Sequence, residues 1–249
     1  MNVAAYLERI VYAGSAHADS ETLRALHRAH MLAIPFENLD IGLGRKIVCD
    51  EDAFIRKIVG QRRGGFCYEL NGAFAALLRE LGFRVTLLSA RVAREDGSSS
   101  PDFDHLTLRV GLDEPWLADV GFGDSFLEPL RMCPGIEQLQ GERRFRLADD
   151  RGSLSVEMAE VNGTWKRQYS FTLMPRSLDE FAPRCEYQQT SPESSFTKKR
   201  ICTRATPEGR ITLADKKLIV TRKGKKEERL LESEDEWRAL LKDQFGITL

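Results

Sequence analysis

The spacing of apolar residues changes its period near residue 84, and this change constrains the fold more than any other feature. Upstream, apolar residues recur at helical spacing, in the sets Val3, Tyr6, Leu7 and Ile10; Leu23, Leu26 and Met31; Phe54, Ile55, Ile58 and Val59; and Leu70, Phe74, Leu77, Leu78 and Leu81. Downstream, residues 84–92, 105–110 and 116–120 are short, β-branched or alternating segments divided by polar turns. The sequence therefore predicts an α+β protein in which helices precede a β-rich middle part.

Local signals mark further elements in the second half of the chain. Asn162-Gly163 predicts a two-residue type I′ turn with a strand on either side. The segment 206–209, Thr-Pro-Glu-Gly, predicts another hairpin. Ser233 and Glu236 form a capping box for a closing helix, and we interpret the charged segment 216–229 as solvated surface.

Composition excludes several classes of function. The 249 residues carry a formal net charge of -1, which offers no basic surface for nucleic acid or an anionic membrane. No apolar run approaches the roughly 20 residues that span a bilayer, and the first ten residues do not resemble a signal peptide. The five cysteines form no Cys-x-x-Cys pair and the histidines number four, so we expect no metal site. An odd cysteine count in a chain of this size favours a reducing cytoplasm.

A cysteine stands at the start of the strongest helical segment, in the run Arg63-Gly64-Gly65-Phe66-Cys67-Tyr68-Glu69-Leu70-Asn71, and Gly82 is placed to end that helix. The free N–H groups and the dipole at a helix start stabilise a thiolate, so we expect a lowered pKa for Cys67. The same N–H groups can donate to an oxyanion on an acylated sulfur. Taken alone, Cys67 is equally consistent with a small buried core residue.

Two strands downstream supply the partners that a cysteine nucleophile needs. His105 opens the segment 105–110, and Asp119 lies in the segment 116–120, with a turn-like Leu-Asp-Glu-Pro between them. On adjacent antiparallel strands, the Asp119 carboxylate can hold the His105 imidazole if the register sets both side chains on one face. The sequence leaves that register open. With Cys67, the three residues predict a nucleophile, a base and an orienting carboxylate.

These motifs resemble those of the arylamine N-acetyltransferase family. The run around Cys67, His105-Leu106, and the stretch Asp119-Val120-Gly121-Phe122-Gly123 are similar to the family's three catalytic blocks. The matching N-terminal and C-terminal blocks are His30 to Asp40, Tyr187 to Phe196, and Thr206 to Gly209. The resemblance implies a papain-like or transglutaminase-like core with an N-terminal helical bundle, a middle β-barrel and a C-terminal α/β lid. We expect these parts at residues 1–85, 86–190 and 191–249.

The resemblance also implies an activity and its site. The enzyme would transfer an acetyl group from acetyl-CoA, its co-substrate, through a Cys67 thioester to arylamines, arylhydrazines or N-hydroxyarylamines, with ping-pong kinetics. The implied catalytic residues are Cys67, His105 and Asp119. Phe36 and Phe122 would line the acceptor pocket. The implied CoA contacts are Gly121, Gly123, Tyr187 and Ser195.

Other interpretations of the same residues remain. Arg63 and Glu37 are expected to form a structural ion pair that braces the cysteine loop, and His17, His27 and His30 to be surface or core residues. An amide synthase, or a transferase for longer acyl-CoA, would share the catalytic residues and differ in pocket volume. A cysteine hydrolase or transglutaminase-like enzyme would not depend on CoA thioesters. A binding protein would have kept the fold and lost the activity. The natural acceptor and the oligomeric state lie outside what the sequence determines.

Overall fold

The computed structural model describes residues 1–160 and 162–249. Its α-helices are α1 (Val3–Arg9), α2 (Ser20–Ala33), α3 (Leu39–Gly42), α4 (Glu51–Ile55), α5 (Cys67–Glu80), α6 (Ala182–Thr190), α7 (Ser195–Lys198) and α8 (Glu234–Phe245). Its strands are β1 (Phe36–Glu37), β2 (Arg84–Val92), β3 (His105–Gly111), β4 (Pro115–Ala118), β5 (Leu130–Arg131), β6 (Gln138–Gln140), β7 (Arg143–Asp150), β8 (Ser153–Glu160), β9 (Lys166–Phe171), β10 (Ile201–Thr206), β11 (Gly209–Ala214), β12 (Lys217–Arg222) and β13 (Lys225–Leu230). Within the described ranges, no helix has the length and apolar character that crossing a membrane requires.

Helix α5 is the centre of the N-terminal helical part. Every residue from Cys67 to Leu78 is buried, so this helix is covered on all sides and not on one face alone. The Phe54 ring lies where a side chain at Gly72 would point, since a Cβ there would come within 2.7 Å of it. Gly82 follows the helix with a φ of +87°, which confirms its predicted role at the C-terminal end. The chain then turns directly into β2.

An eight-stranded antiparallel sheet forms the middle part, in the order β5-β4-β3-β2-β9-β8-β7-β6. Its two edge strands meet through one side chain. Gln138 on β6 accepts a hydrogen bond from the Arg131 backbone on β5 and donates one back, at 2.8 and 3.0 Å. These bonds bring the edges together, so the sheet is a nearly closed barrel.

Strand β3 connects the helices to the barrel because its two faces pack against different parts. Leu106, Leu108 and Val110 join the core around α5. Residues on the opposite face, His105 and Thr107, lie against Tyr169 of β9. This alternation is that of a strand with both faces buried, and it brings the start of β3 to the junction of the helices and the barrel.

A second, five-stranded sheet has the order β1-β10-β11-β12-β13. Strand β1 comes from the N-terminal part and pairs with β10, with Phe36 opposite Thr203. Helix α8 buries Trp237 and Leu241 in a small core with this sheet. The predicted architecture of helical bundle, β-barrel and α/β part is therefore confirmed, while the boundaries at residues 85 and 190 stay a prediction.

Several predicted elements are confirmed. Strand β2 has the predicted bounds, and β10 and β11 pair as a hairpin at Thr206 and Gly209. The Ser233 side chain caps α8 by accepting from the Glu236 N–H at 3.1 Å.

One prediction for the β-rich parts is wrong, and one is incomplete. The strands flanking Asn162-Gly163 exist, but β8 ends at Glu160, β9 begins at Lys166, and Gly163 does not adopt the positive φ that a type I′ turn needs. The charged segment 216–229 is surface, yet it folds as β12 and β13. Lys223 and Gly224, with φ of 47° and 72°, make the turn between them. Both faces of β13 are exposed, so its sequence shows no alternation of apolar and polar residues that would predict a strand.

Candidate active site

A glycine pair lets the chain reach the start of α5. A Cβ at Gly64 would lie 2.0 Å from the Pro35 carbonyl oxygen, and one at Gly65 would lie 2.7 Å from the Glu69 carboxylate. Neither position therefore tolerates a side chain without a shift of its neighbours. The tight approach places Cys67 at the first residue of α5, as predicted.

The Cys67 sulfur lies against the two residues that flank His105 in the chain. It is 4.0 Å from the Asp104 carbonyl oxygen, and the Leu106 N–H donates toward it. Burial raises the pKa of the Cys67 thiol well above its usual value, and the Leu106 and Tyr68 N–H groups oppose this only in part. The prediction that the helix start alone lowers this pKa is therefore wrong, and ionisation of the sulfur requires a partner that takes its proton.

His105 and Asp119 form a buried pair beside this sulfur. Their Nε2 and Oδ2 atoms are 2.6 Å apart, and the residues are 2% and 0% exposed. Burial raises the pKa of Asp119, but the charge and hydrogen bond of His105 outweigh it, so the carboxyl titrates below its usual value. Because Nε2 is engaged, Nδ1 is the ring nitrogen available to Cys67.

The register left open by the sequence is now defined. Strands β3 and β4 are adjacent and antiparallel, and their pairing runs from Gly111 opposite Pro115 to Leu108 opposite Ala118. Asp119 follows β4 directly, so its carboxylate reaches His105 from just beyond the end of the strand.

Asn71, one turn along α5 from Cys67, fixes the Asp119 carboxylate. Its amide nitrogen donates to Asp119 Oδ1 at 2.9 Å and to the Leu106 carbonyl at 2.6 Å, and its oxygen accepts from the Val120 N–H at 2.9 Å. The Gly121 N–H also donates to Asp119 Oδ1, at 3.0 Å. The sequence run around Cys67 includes Asn71, but its role was missed because nothing in the spacing shows that residue 71 meets residue 119.

His27 on α2 was also missed as part of this site. It was expected to be a surface or core residue, and it is fully buried, but its Nε2 lies 3.1 Å from the Asp119 backbone nitrogen. No sequence motif near residue 27 carries a signal for this contact.

Five charged side chains form a network beside the loop of residues 63–66 that leads to Cys67. Arg63 Nη2 lies 2.8 Å from Glu37 and 3.1 Å from Asp40, which confirms the predicted ion pair. Lys57 Nζ lies 2.8 Å from Asp40 and 2.7 Å from Glu69. All five are buried, so the pair expected from sequence is part of a larger network.

This network has three carboxylates and two cations, and one of its acids has a raised pKa. Burial raises the pKa of Glu69 to about 7 even though Lys57 opposes the shift. Glu69 also accepts a hydrogen bond from the Phe66 N–H at 3.1 Å, at the residue before Cys67. The network therefore holds the backbone that positions the sulfur.

An aromatic wall stands over the His105 ring. The Phe122 ring lies 5.2 Å from it, edge to face, and Tyr169 lies 5.1 Å from both rings. Gly123, with a φ of +92°, packs against Phe36, because a Cβ there would come to 3.7 Å of that ring. Phe36 and Phe122 are both partly exposed beside the sequence-predicted catalytic residues.

The residues expected to contact CoA divide into two sets. Gly121 touches the site, since a Cβ there would lie 2.8 Å from the Cys67 Cα, and Gly123 lies two residues further on. Tyr187 stacks under Arg184, which pairs with Asp104. Ser195 is exposed at the start of α7. In the described parts of the chain, no hydrogen bond joins Tyr187 or Ser195 to Cys67, His105 or Asp119.

Comparison with known proteins assigns this arrangement to a family. The family model described as N-acetyltransferase matches residues 19–249. The arylamine N-acetyltransferase of Escherichia coli is 35% identical over 246 residues, which cover 97% of this chain and 87% of the relative.

The chain belongs to the arylamine N-acetyltransferase family. It is therefore an acyltransferase, and the resemblance seen in the sequence is confirmed. The arylamine N-acetyltransferase of Mycobacterium marinum, solved in complex with CoA, superimposes with a TM-score of 0.92 at 33% identity, covering 99% of this chain and 93% of that one. Proansamycin X synthase of Amycolatopsis mediterranei is 30% identical over 250 residues, with 96% and 95% covered.

Proposed function

We propose that this chain transfers an acetyl group from acetyl-CoA to arylamines through a thioester on Cys67, with His105 as the base and Asp119 as the orienting carboxylate. The observation that carries the proposal is the buried 2.6 Å contact between His105 and Asp119, next to a sulfur flanked by the neighbours of His105. This is the arrangement of nucleophile, base and orienting group that acyl transfer through a cysteine requires.

In the first half-reaction, His105 Nδ1 takes the Cys67 proton as the sulfur attacks the carbonyl carbon of acetyl-CoA. An S–C bond forms, and the carbonyl oxygen becomes an oxyanion that backbone N–H groups at the start of α5 stabilise. The thioester bond to CoA then breaks, the His105 imidazolium gives its proton to the departing sulfur, and CoA leaves as a thiol. Asp119 stabilises the imidazolium throughout.

In the second half-reaction, the acceptor amine attacks the acetyl-cysteine. His105 takes the proton from its nitrogen, the amide N–C bond forms as the acetyl C–S bond breaks, and the proton on His105 returns to the Cys67 sulfur. An arylamine suits this step because its nitrogen is weakly basic and stays neutral near pH 7. We propose arylhydrazines and N-hydroxyarylamines as further acceptors.

Binding roles follow from the positions of the remaining residues. Phe36 and Phe122 form the acceptor slot, because flat aromatic rings stack on such partly exposed walls. Gly121 and Gly123 let the pantetheine arm approach the backbone, while Tyr187 and Ser195 contact CoA further out. The odd cysteine count supports the cytoplasm as the place of action.

Amide synthesis from a longer acyl thioester is the second candidate function. The full-length similarity to proansamycin X synthase favours it, because the same three residues would serve and only the acyl pocket would differ. Rates with acetyl-CoA and with longer acyl-CoA thioesters distinguish the two functions.

Steady-state kinetics with acetyl-CoA and an aniline acceptor test the proposal. We expect parallel lines in double-reciprocal plots, the signature of a ping-pong mechanism, and no turnover in Cys67→Ala. The control is Cys133→Ser, a partly exposed cysteine just after β5 whose sulfur lies 4.0 Å from Glu114, which should keep the wild-type rate. Intersecting lines, or turnover that persists in Cys67→Ala, would exclude the thioester route.

A further inference from the structure

His27 joins the two ends of the loop that follows β4. Its Nε2 accepts the Asp119 N–H at 3.1 Å, and its Nδ1 lies 2.8 Å from the Leu127 carbonyl oxygen. Residues 119–127 contain Asp119 at one end and the Phe122 ring in between. A single side chain of α2 therefore holds both ends of the segment that carries the carboxylate and the aromatic wall.

His27 contacts the Asp119 N–H at the point where backbone pairing between β3 and β4 ends. Pairing between β3 and β4 ends with Leu108 opposite Ala118, and the next amide along the chain is that of Asp119. A buried backbone N–H requires an acceptor. The imidazole of His27 supplies this acceptor from α2. It therefore takes the place of the strand partner that β3 no longer provides.

The partners of His27 fix one neutral tautomer. The Leu127 carbonyl can only accept and the Asp119 N–H can only donate, so Nδ1 carries the proton and Nε2 is the acceptor. Burial lowers the pKa of His27 to about 4, against the weaker opposing effects of the Leu127 carbonyl, Asp119 and Glu128. His30, the next buried histidine on α2, has a pKa lowered by burial and by His27. His27 is thus a permanent acceptor at neutral pH.

Aromatic packing leaves the imidazole little freedom. The Phe126 ring stacks on it with centroids 5.6 Å apart and an interplanar angle of 22°. The Phe74 ring of α5 meets it edge to face at 5.9 Å. The ring that holds the Asp119 backbone is therefore clamped between the loop itself and the helix that carries Cys67.

We infer that His27 is a positioning residue for the acetyl transfer proposed above, holding the Asp119 backbone so that its carboxylate orients His105 toward Cys67. The inference rests on that proposed function. Its consequence is that loss of the Nε2 acceptor disturbs the catalytic step, whereas loss of the Nδ1 donor mainly loosens the far end of the loop.

Three substitutions separate the two hydrogen bonds of His27. In His27→Gln the amide oxygen reaches the position of Nε2 and still accepts from Asp119. In His27→Asn the shorter amide replaces Nδ1 and reaches only Leu127, and His27→Phe keeps the ring shape with neither bond. The matched control is His30→Gln, because His30 is also fully buried, lies on the same helix and packs on the same Phe74 ring.

The measurements are the single-turnover rate of Cys67 acetylation by acetyl-CoA, the KM for acetyl-CoA, the melting temperature, and the pH dependence of Cys67 alkylation. We expect His27→Asn and His27→Phe to acetylate at least about tenfold more slowly, with KM within about twofold of wild type. Their alkylation profiles should move to higher pH, while His27→Gln and His30→Gln stay near the wild-type rate and profile.

Other outcomes overturn the inference. It fails if His27→Phe acetylates at the wild-type rate, or if acetylation in all four variants simply follows the melting temperature with an unmoved alkylation profile. A wild-type protein that forms no acetyl-enzyme contradicts the proposed function instead. In that case the alkylation profiles still decide whether His27 positions the histidine–carboxylate pair.

Discussion

Replacing Asn71 by alanine removes the side chain that fixes Asp119 to α5. Three buried hydrogen bonds are lost at once, to Asp119 Oδ1, the Leu106 carbonyl and the Val120 N–H. The Asp119 carboxylate still accepts from the Gly121 N–H and from His105 Nε2, but the Val120 N–H loses its acceptor.

The size of the effect follows from these contacts. A buried donor left unsatisfied costs about 1–3 kcal/mol, a bond to a charged group about 1.5–3, and a neutral bond about 1. Asn71→Ala should therefore lower the free energy of unfolding by about 4 kcal/mol, out of the 5–15 kcal/mol typical of a folded domain. In a chain of this length, that corresponds to a melting temperature about 8–16 °C lower.

Urea unfolding followed by circular dichroism measures this loss, with Asn162→Ala as the control because Asn162 is exposed. The control should stay within about 0.5 kcal/mol of wild type. Acetyl transfer, assayed at a temperature where Asn71→Ala is folded, should also fall, since Asp119 has lost its link to the helix of Cys67. A loss of stability below about 1 kcal/mol, together with unchanged activity, would refute the role assigned to Asn71.

Three further predictions follow from other contacts of the site. Arg63→Met should destabilise the fold by about 3–5 kcal/mol in urea unfolding, because it leaves Glu37 and Asp40 with one cation fewer in a buried network; a loss under about 1 kcal/mol would contradict this. Gly121→Ala should abolish turnover, since its Cβ would lie 2.8 Å from the Cys67 Cα, and wild-type kcat would show that the close approach is irrelevant. His27 is neutral in the fold down to about pH 4 but takes up a proton near pH 6.5 when unfolded, so stability is lost as pH falls between these values. Relative to His27→Gln, unfolding experiments should show wild type losing up to about 3 kcal/mol over that range, and parallel pH curves would contradict it.

Much of the fold was accessible from the sequence because local patterns decide it. The helical period ahead of residue 84 and the alternation after it place α5 and β2 correctly, and Gly82 ends the helix where it was predicted. Both elements bury apolar residues on one face or on all sides, and this burial leaves a regular spacing of apolar residues in the sequence. Strand β13 has no buried face, so its charged sequence carries no apolar spacing that predicts a strand.

The candidate site was accessible only in part. Cys67, His105 and Asp119 stand in motifs that signal their chemistry, and the structure brings His105 and Asp119 together at 2.6 Å. Contacts over long separations, such as those of Asn71 and His27 with Asp119, have no local signature. The effect of burial on the Cys67 pKa was missed, because the start of a helix can be recognised in the sequence, whereas burial depends on tertiary packing.

The pH dependence of Cys67 alkylation tests most directly whether a buried thiol becomes a nucleophile only through His105 and Asp119. Iodoacetamide labelling, followed on the tryptic peptide of residues 64–79, reports the reactive sulfur separately from the other four cysteines. We expect fast labelling of wild type at about pH 6, and slow labelling of His105→Gln and Asp119→Asn until the pH exceeds about 8.5. Equal labelling of all three proteins at about pH 6 would show that the sulfur is activated without them, and would contradict the account.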